Sequence, residues 1–406
     1  MVLKKLISLL ILLTAAVILS VTAEAGEIPN ITAPIAVVMC FDTGEILYER
    51  SMDRRWIPAS MTKSMTAFIT YQEIGLGNLT LDTRIRVSPG AASFSQDRRQ
   101  EGSFVPLQQN TYITVEMLLR LMMLPSSNGA AVVLAEHISG TEAAFVNRMN
   151  ETAAELGMYS SFTNSHGAHA HHTNAYSMAL LIREFITRYP DILRITSMPF
   201  VNFNGTHYNN TNRLLTDHAF NTHPFEGADG FKTGTIRASG WGHSTTAMRD
   251  GRRVIAVVMN TANNNARQQD SRVLLQFGFD EIARRDAAAS ARVRVFYTGM
   301  IIPMSQPAVA ERDRLFLPAA DILRNLGFTV DWNGTYRIFT AENETGHITL
   351  FVDRPLAFIR GKPVTLDVPA RMINNRVYVP LSFIEAATDT VSSWDRQTGV
   401  VRLRPE

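Results

Sequence analysis

The sequence is short of cysteine, of net charge and of long apolar runs, and each shortage excludes a class of structure or partner. Cys40 is the one cysteine in 406 residues, so no disulfide can form within the chain. The formal net charge is +2 and the basic residues are scattered, which gives no argument for a nucleic-acid partner. Beyond residue 25, no apolar run approaches the about 20 residues that a membrane-spanning helix needs. The chain must rely on a packed core, which its length permits.

The first 25 residues have the composition of a secretory signal peptide. Lys4 and Lys5 form a basic start, Leu6 to Val21 is apolar, and Ala23-Glu24-Ala25 fits an A-x-A cleavage site. We therefore expect cleavage after residue 25 and an exported, extracytoplasmic protein at the cell wall or cell surface. An uncleaved membrane anchor is the alternative interpretation, for which the apolar run is slightly short.

Residues 26–285 mix the apolar patterns of strands and helices, which predicts an α+β domain with an antiparallel sheet flanked by helices. Pro34 to Met39 and Arg253 to Met259 are typical of buried strands, and Val115 to Leu124 is typical of a buried helix. Asp250-Gly251 predicts a hairpin turn. The Ala-, Ser- and Arg-rich stretch from Ala283 to Ala291 marks the domain boundary, as a linker or a helix end.

Residues 292–406 contain an internal repeat with a period of 62 residues. The string Arg314-Leu-Phe-Leu-Pro318 matches Arg376-Val-Tyr-Val-Pro380. The same offset relates Gly299 to Gly361, Ile322 to Ile384 and Trp332 to Trp394. Each copy predicts strands, a turn, a short helix and a Trp-bearing strand, so we expect a small α+β module of two repeats.

Three short strings follow one another in the first domain. Ser60-Met61-Thr62-Lys63, Ser126-Ser127-Asn128 and Lys232-Thr233-Gly234 match the patterns S-x-x-K, S-x-N and K-T-G of serine acyl-transfer enzymes that react with penicillin. Each string alone occurs by chance in many proteins. Their order, over a span suited to one domain, makes the combination specific.

The first string pairs a nucleophile with a base. A serine hydroxyl needs a base beside it at neutral pH, and residues three apart share one face of a helix. A helix beginning at about Ser60, after Pro58, would therefore bring Lys63 to the hydroxyl. Lys63 can act as a base if burial and a second cation lower its pKa, and Lys232 is the candidate for that cation.

The other two strings supply polar groups for a peptide. Ser126 can relay a proton and Asn128 can bind a peptide backbone, although helix capping alone also explains both residue types. Lys232 and Thr233 can bind a carboxylate. Gly234 leaves room for a substrate to add to the strand edge, whereas a K-T-G string taken alone is most often a turn.

From about Ala33 to Phe279 the chain resembles the serine-type D-alanyl-D-alanine carboxypeptidases, which are low-molecular-mass penicillin-binding proteins. Besides the three strings, the likeness includes Leu134-Ala135-Glu136-His137, Asn164-Ser165-His166-Gly167 and Asp229-Gly230-Phe231. The resemblance implies a β-lactamase/penicillin-binding-protein-like fold. It places the site between a helical cluster and the K-T-G strand.

The resemblance also implies a mechanism without a cofactor. Ser60 would attack the carbonyl between the two terminal D-alanines of a peptidoglycan stem peptide while Lys63 takes its proton. The backbone N–H groups of Ser60 and Thr235 would form the oxyanion hole. Water would then hydrolyse the acyl-enzyme, and β-lactam antibiotics would acylate Ser60 as covalent inhibitors.

Further groups would handle the leaving D-alanine and its carboxylate. The resemblance implies that Ser126 and Lys232 pass a proton to the departing amine and that Thr233 binds the carboxylate. Arg267 matches the carboxylate-binding arginine of the family and is expected in a loop after the strand ending at Met259.

The sequence departs from the family pattern at several positions. Relatives typically have S-G-N-D-A where this chain has Ser127 and Gly129, and an acidic residue where it has Tyr176-Ser177. Four nearby histidines suggest zinc ligands, but no cysteine and few carboxylates accompany them, so we expect no metal; they are His166, His169, His171 and His172.

Three other functions share some of these features. A DD-endopeptidase has every motif named above. A catalytically silent wall-binding or penicillin-binding protein would not need to keep all the candidate catalytic residues. A β-lactamase needs a base for deacylation, usually in an E-x-x-L-N string, and residues 140–230 contain no convincing copy of it.

The C-terminal repeat resembles the N-terminal-like domain of copper amine oxidases, from about Val293 to Leu403. The likeness rests chiefly on residues 379–384, Val-Pro-Leu-Ser-Phe-Ile, and on Trp394-Asp395. One histidine, His347, and no cysteine are too few for a typical copper site. We expect contact with the cell wall or a protein, or alternatively a spacer.

Overall fold

The computed structural model describes residues 28–99, 101–168, 171–215, 223–311 and 314–406. The expected signal peptide and His169 lie outside these ranges. The described residues fall into two units, one of residues 29–283 and one that contains residues 284–406.

The first unit is built on a five-stranded antiparallel sheet in the order β2-β1-β9-β8-β7. The strands of this unit are β1 (Ile35–Cys40), β2 (Ile46–Arg50), β3 (Arg84–Arg86), β4 (Tyr112–Thr114), β5 (Phe200–Phe203), β6 (Thr206–Asn209), β7 (Ala228–Ile236), β8 (Gly240–Arg249) and β9 (Arg252–Thr261). Outside the main sheet, β3 pairs with β4 and β5 pairs with β6. All of β1 is buried, and its last residue, Cys40, is a free thiol. Asp250 and Gly251 join β8 to β9 with φ angles of 48° and 70°, the left-handed conformation of a tight hairpin.

Helices surround this sheet and form a buried cluster beside it. They are a 3-10 turn (Ala59–Thr62), α1 (Lys63–Gly75), α2 (Pro89–Gln96), α3 (Val115–Met123), α4 (Asn128–Ser139), α5 (Glu142–Glu155), α6 (Ala175–Arg188), α7 (Ile192–Thr196) and α8 (Asn264–Arg292). The apolar run predicted as a buried helix is α3, and six of its nine residues are buried. The expected α+β fold is confirmed.

The helix α8 agrees with one sequence expectation and differs from another. The stretch Ala283 to Ala291, expected as a linker or a helix end, forms its last turns. Arg267, expected in a loop after a strand ending at Met259, lies in its first turns, because the strand continues to Thr261 and the helix begins at Asn264. Asn263 Oδ1 accepts a hydrogen bond from the backbone of residue 266 at 2.9 Å, so the Asn-rich stretch caps a helix instead of forming a loop.

The second unit is the predicted repeat. Its elements are β10 (Arg294–Tyr297), β11 (Met300–Ile302), β12 (Val309–Glu311), β13 (Arg314–Pro318), α9 (Ala319–Asn325), β14 (Thr329–Asn333), β15 (Ile338–Asn343), β16 (Gly346–Phe351), β17 (Leu356–Ile359), β18 (Lys362–Thr365), β19 (Arg371–Ile373), β20 (Arg376–Pro380), α10 (Leu381–Thr388), β21 (Thr390–Asp395) and β22 (Val400–Pro405). The matching strands β13 and β20 pair antiparallel with Leu317 opposite Val379, two residues one period apart. Gly299 and Gly361 close equivalent hairpins with φ angles of 88° and 73°. The two copies are therefore related by a pseudo-twofold axis.

Within the described ranges, no helix combines the length and the apolar composition that crossing a bilayer requires.

Candidate active site

Ser60 and Lys63 meet through a tighter turn than expected. Ser60 lies in the 3-10 turn and Lys63 is the first residue of α1. Side chains three residues apart eclipse in a 3-10 turn, and the Lys63 Nζ to Ser60 Oγ distance is 2.9 Å. Ala59 enters the turn with a φ angle of 48°, in the left-handed region that non-glycine residues rarely adopt.

Lys63 is fully buried and its amine has three neighbours. Besides Ser60 Oγ, Nζ contacts Asn128 Oδ1 at 2.8 Å and the His166 carbonyl at 2.6 Å. Burial, followed by the charge of Lys232, lowers the Lys63 pKa well below 10.5. A neutral amine has two N–H donors and one lone pair. The amide and carbonyl oxygens can only accept, so they take the donors and leave the lone pair for the serine hydroxyl.

The three residues of the second string have different environments and contacts. Ser127 Oγ caps α4 by accepting a hydrogen bond from residue 130, so the capping interpretation holds for Ser127 and not for its neighbours. Ser126 adopts a left-handed φ angle of 72°, and its buried Oγ has no hydrogen-bond partner among the described residues. Asn128 is oriented by Lys63.

The third string lies within β7, which begins four residues before Lys232. Burial, and then the charge of Arg267, lower the Lys232 pKa from 10.5 to about 7. Thr233 Oγ1 donates a hydrogen bond to Thr211 Oγ1 at 2.7 Å. A Cβ atom on Gly234 would lie 2.3 Å from the Pro58 carbonyl, so this glycine lets β7 approach the Ser60 turn. This close backbone approach is one reason for glycine at position 234. The expectation that Gly234 also leaves room for substrate stays a prediction.

Arg267 reaches the same strand from α8. Its guanidinium donates to Thr235 Oγ1 at 3.0 Å and lies 4.9 Å from the centre of the Trp241 ring. Burial, and then the charge of Arg213, lower the Arg267 pKa to about 9. Arg267 is only 5% exposed, so its guanidinium is buried in the same site as the two buried lysines, Lys63 and Lys232.

A cleft of about 620 Å³ opens beside these groups. Its lining residues are Ser60, Glu101, Gly102, Ser103, Ser126, Thr211, Thr233, Thr235, Ile236, Arg237, Gly240, Trp241, Ala262 and Arg267. Sequence reasoning missed Glu101, Thr211, Arg237 and Trp241. Trp241 could have been found, because the β7–β8 hairpin register places it opposite Thr235. Glu101 and Thr211 lie outside any motif, so no sequence pattern marked them as part of the site.

The departures from the family pattern have local explanations. A Cβ atom on Gly129 would lie 2.5 Å from Ser95 Cβ, so glycine allows α2 and α4 to approach closely. Ser177 Oγ accepts a hydrogen bond from the backbone N–H of Tyr159 near the start of α6.

Among the histidines, buried His166 packs against the Phe94 ring, with 4.9 Å between the ring centres. In the parts of the chain that the structure describes, no three His, Cys, Asp or Glu side chains form a metal cluster.

Comparison with known proteins identifies the first unit. The family model described as D-alanyl-D-alanine carboxypeptidase matches residues 21–263, more than half of the chain. The chain belongs to this family. The family assignment made from the three strings is thus confirmed.

Curated relatives agree with this membership. DacF of Bacillus subtilis, a D-alanyl-D-alanine carboxypeptidase, is 33% identical over 259 residues, which are 61% of this chain and 62% of DacF. DacD of Escherichia coli is 32% identical and covered to 64%, so the chain spans slightly less than two thirds of both proteins. DacD of Salmonella typhimurium is 30% identical over 84% of this chain and 88% of its own length.

Solved structures show the same architecture. Penicillin-binding protein 5 of Haemophilus influenzae matches with a TM-score of 0.59 and 31% identity, over 63% of this chain and 73% of that one. Penicillin-binding protein D2 of Listeria monocytogenes in its cefotaxime-bound form matches with a TM-score of 0.53 and 28% identity, over 62% and 99%. The C-terminal resemblance is also confirmed, because the copper amine oxidase N-terminal domain model matches residues 297–403.

Proposed function

We propose that this protein is a serine D-alanyl-D-alanine carboxypeptidase that removes the terminal D-alanine from peptidoglycan stem peptides. The observation that carries the proposal is the buried Lys63 amine, 2.9 Å from Ser60 Oγ at the wall of an open cleft. Burial favours its neutral form, which is the form that can accept the serine proton.

Acylation then follows from the groups around the serine. The Ser60 oxygen bonds to the carbonyl carbon as its proton passes to Lys63, and the N–H groups of Ser60 and Thr235 stabilise the oxyanion. The bond to the leaving D-alanine breaks as its nitrogen takes a proton through Ser126, whose hydroxyl has no other partner among the described residues. Water then releases the shortened peptide from Ser60.

The free carboxylate of the substrate suits the positive end of the cleft. Lys232, Thr233 and Arg267 are all buried there, and the last two line the cleft. Asn128 would bind the peptide backbone. β-Lactams also carry a carboxylate beside a reactive carbonyl, and the Listeria relative has been solved with cefotaxime and with ampicillin bound. The same groups would bind a β-lactam, which supports the proposal that β-lactams are covalent inhibitors that acylate Ser60.

The test is D-alanine release from an N-acylated peptide ending in D-Ala-D-Ala. Wild-type protein should release D-alanine and be labelled by fluorescent penicillin, and Ser60→Ala should do neither. Ser51→Ala, on an exposed turn, is the matched serine control. Release from a crosslinked dimer but not from the linear peptide would replace the proposal with an endopeptidase, and labelling without any release would leave a penicillin-binding protein that is catalytically silent toward peptides.

We further propose export through the N-terminal signal and wall contact through residues 292–406. In that module the parallel pairing of β10 with β22 puts Arg294, Arg402 and Arg404 on one exposed sheet face, around a cavity of about 430 Å³. Arg294 and Arg404 form no ion pair with a described residue, whereas Arg402 interacts electrostatically with Asp395 and Arg360 is paired with Asp389. Unpaired arginines suit anionic wall polymers.

Wall contact is tested by co-sedimentation with purified cell walls. Replacing the three arginines of this face with glutamine should reduce the bound fraction, and added salt should have a similar effect on wild type. Equal binding by the variant would exclude this sheet face.

A further inference from the structure

Glu101 contacts both walls of the cleft. Its backbone carbonyl accepts a hydrogen bond from Asn128 Nδ2 at 3.0 Å, on the helical side. Its side-chain Oε1 accepts one from the backbone N–H of Arg237 at 3.2 Å, immediately after β7. One exposed residue therefore occupies a hydrogen-bond donor on each side of the cleft.

The contact on the helical side is built into the chain. Asn128 N–H donates to the Ser103 carbonyl at 3.3 Å, which fixes the segment that follows Glu101. Gly102 has a φ angle of 119°, and a Cβ atom there would lie 2.5 Å from Asn128 Nδ2. A glycine is thus required for the segment to rest on Asn128.

The Arg237 amide belongs to the open edge of the sheet. Among the described residues, β7 has β8 on one side and no strand on the other. The N–H and C=O of Ile236 both bond to Ser239, on the β8 side. Because consecutive residues of a strand direct their backbone groups to opposite sides, the amides of Thr235 and Arg237 point to the free edge.

A peptide added antiparallel to this edge would meet the two amides in turn. When Thr235 N–H binds the carbonyl that Ser60 attacks, Arg237 N–H faces the carbonyl two residues earlier in the peptide, about 7 Å away. The Glu101 carboxylate now holds that second amide. An upstream peptide carbonyl and the carboxylate cannot both take the single N–H in good geometry.

We propose that Glu101 is a specificity-determining residue that competes with the substrate backbone for the Arg237 amide. The inference rests on the proposed function for the direction in which the peptide lies. Its consequence is that the cleft binds the last two residues of a peptide fully and gains little from the backbone carbonyl that lies two residues before the one Ser60 attacks.

Two probes separate these contributions. N-acetyl-D-alanyl-D-alanine ends before the Arg237 amide, whereas N-acetyl-L-lysyl-D-alanyl-D-alanine adds the carbonyl that would face it. Each is titrated into full-length Ser60→Ala protein with and without Glu101→Ala. The longer peptide should bind about three- to tenfold more tightly once Glu101 is removed, as expected for one released hydrogen bond. The affinity for the shorter peptide should not change.

Two further variants identify the cause. Glu101→Gln keeps an acceptor oxygen and loses the charge, so it should bind both peptides as the parent does. Glu155→Ala removes an exposed glutamate elsewhere and should change nothing.

Unchanged or weaker binding of the longer peptide by the Glu101→Ala protein would overturn the proposal, and so would Glu101→Gln behaving like Glu101→Ala. Binding is measured without turnover. Failure of the carboxypeptidase proposal would instead appear as wild-type protein that binds these peptides and releases no D-alanine.

Discussion

Replacing Arg267 with glutamine is expected to raise the pKa of Lys232. Burial and then the Arg267 charge lower this pKa from 10.5 to about 7, which corresponds to about 5 kcal/mol between the two protonation states. Arg267 is the smaller of the two causes, so its removal should recover less than half of the lowering. We expect the variant pKa to lie above about 7 and below about 9.

Lysine NMR measures this pKa directly, because the chain has few lysines. Lys63, Lys232 and exposed Lys362 are the only ones after residue 25, so labelling lysine Cε with ¹³C gives a spectrum that can be assigned by substitution. Lys232→Ala removes one signal and should raise the Lys63 pKa, since Lys232 is the second cause of its lowering. Arg194→Gln, whose parent side chain is 84% exposed, is the control arginine.

The sign of the stability effect follows from the same value. Below about pH 7, Lys232 is charged in both the folded and the unfolded protein, and the full cost of burying the charge is present. Between about pH 7 and 10.5 the unfolded chain binds more protons, so the contribution of this group to stability rises with pH. A Lys232 signal that titrates near 10.5, or one that Arg267→Gln leaves in place, would refute this electrostatic account.

Three further predictions concern the free energy of unfolding, measured by urea denaturation with circular dichroism. Gly129→Ala should cost about 1–3 kcal/mol because its Cβ would meet Ser95. Asp270→Ala should cost about 2–4 kcal/mol, since its buried carboxylate accepts three donors just before β1, and Asp270→Asn should cost less. Arg253→Met should cost about 3 kcal/mol because the Asp229 carboxylate would lose both hydrogen bonds from the Arg253 guanidinium. Replacing both residues should cost less than replacing Arg253 alone. Losses below about 0.5 kcal/mol would contradict each of these.

Sequence patterns predicted the architecture where the deciding interactions are local. The Asp250-Gly251 turn predicted the hairpin of β8 and β9. The 62-residue period predicted two copies, and in the structure their central strands pair with Leu317 opposite Val379. The S-x-x-K spacing predicted the contact between Ser60 and Lys63 although the turn type differed. Both 3-10 and α-helical turns place residues three apart on one side, so the prediction did not depend on the turn type.

The rest of the candidate site depends on contacts between segments far apart in the chain. Glu101 reaches Arg237 across 136 residues and Thr211 reaches Thr233 across 22, and neither pair leaves a periodic or compositional trace. The lowered pKa of Lys63 also depends on distant segments, because it arises from burial by several segments at once and from the charge of Lys232, which follows 169 residues later. A motif can therefore name the atoms that react. The proton affinities of those atoms, and their competitors for substrate, are set by the packing of the whole unit.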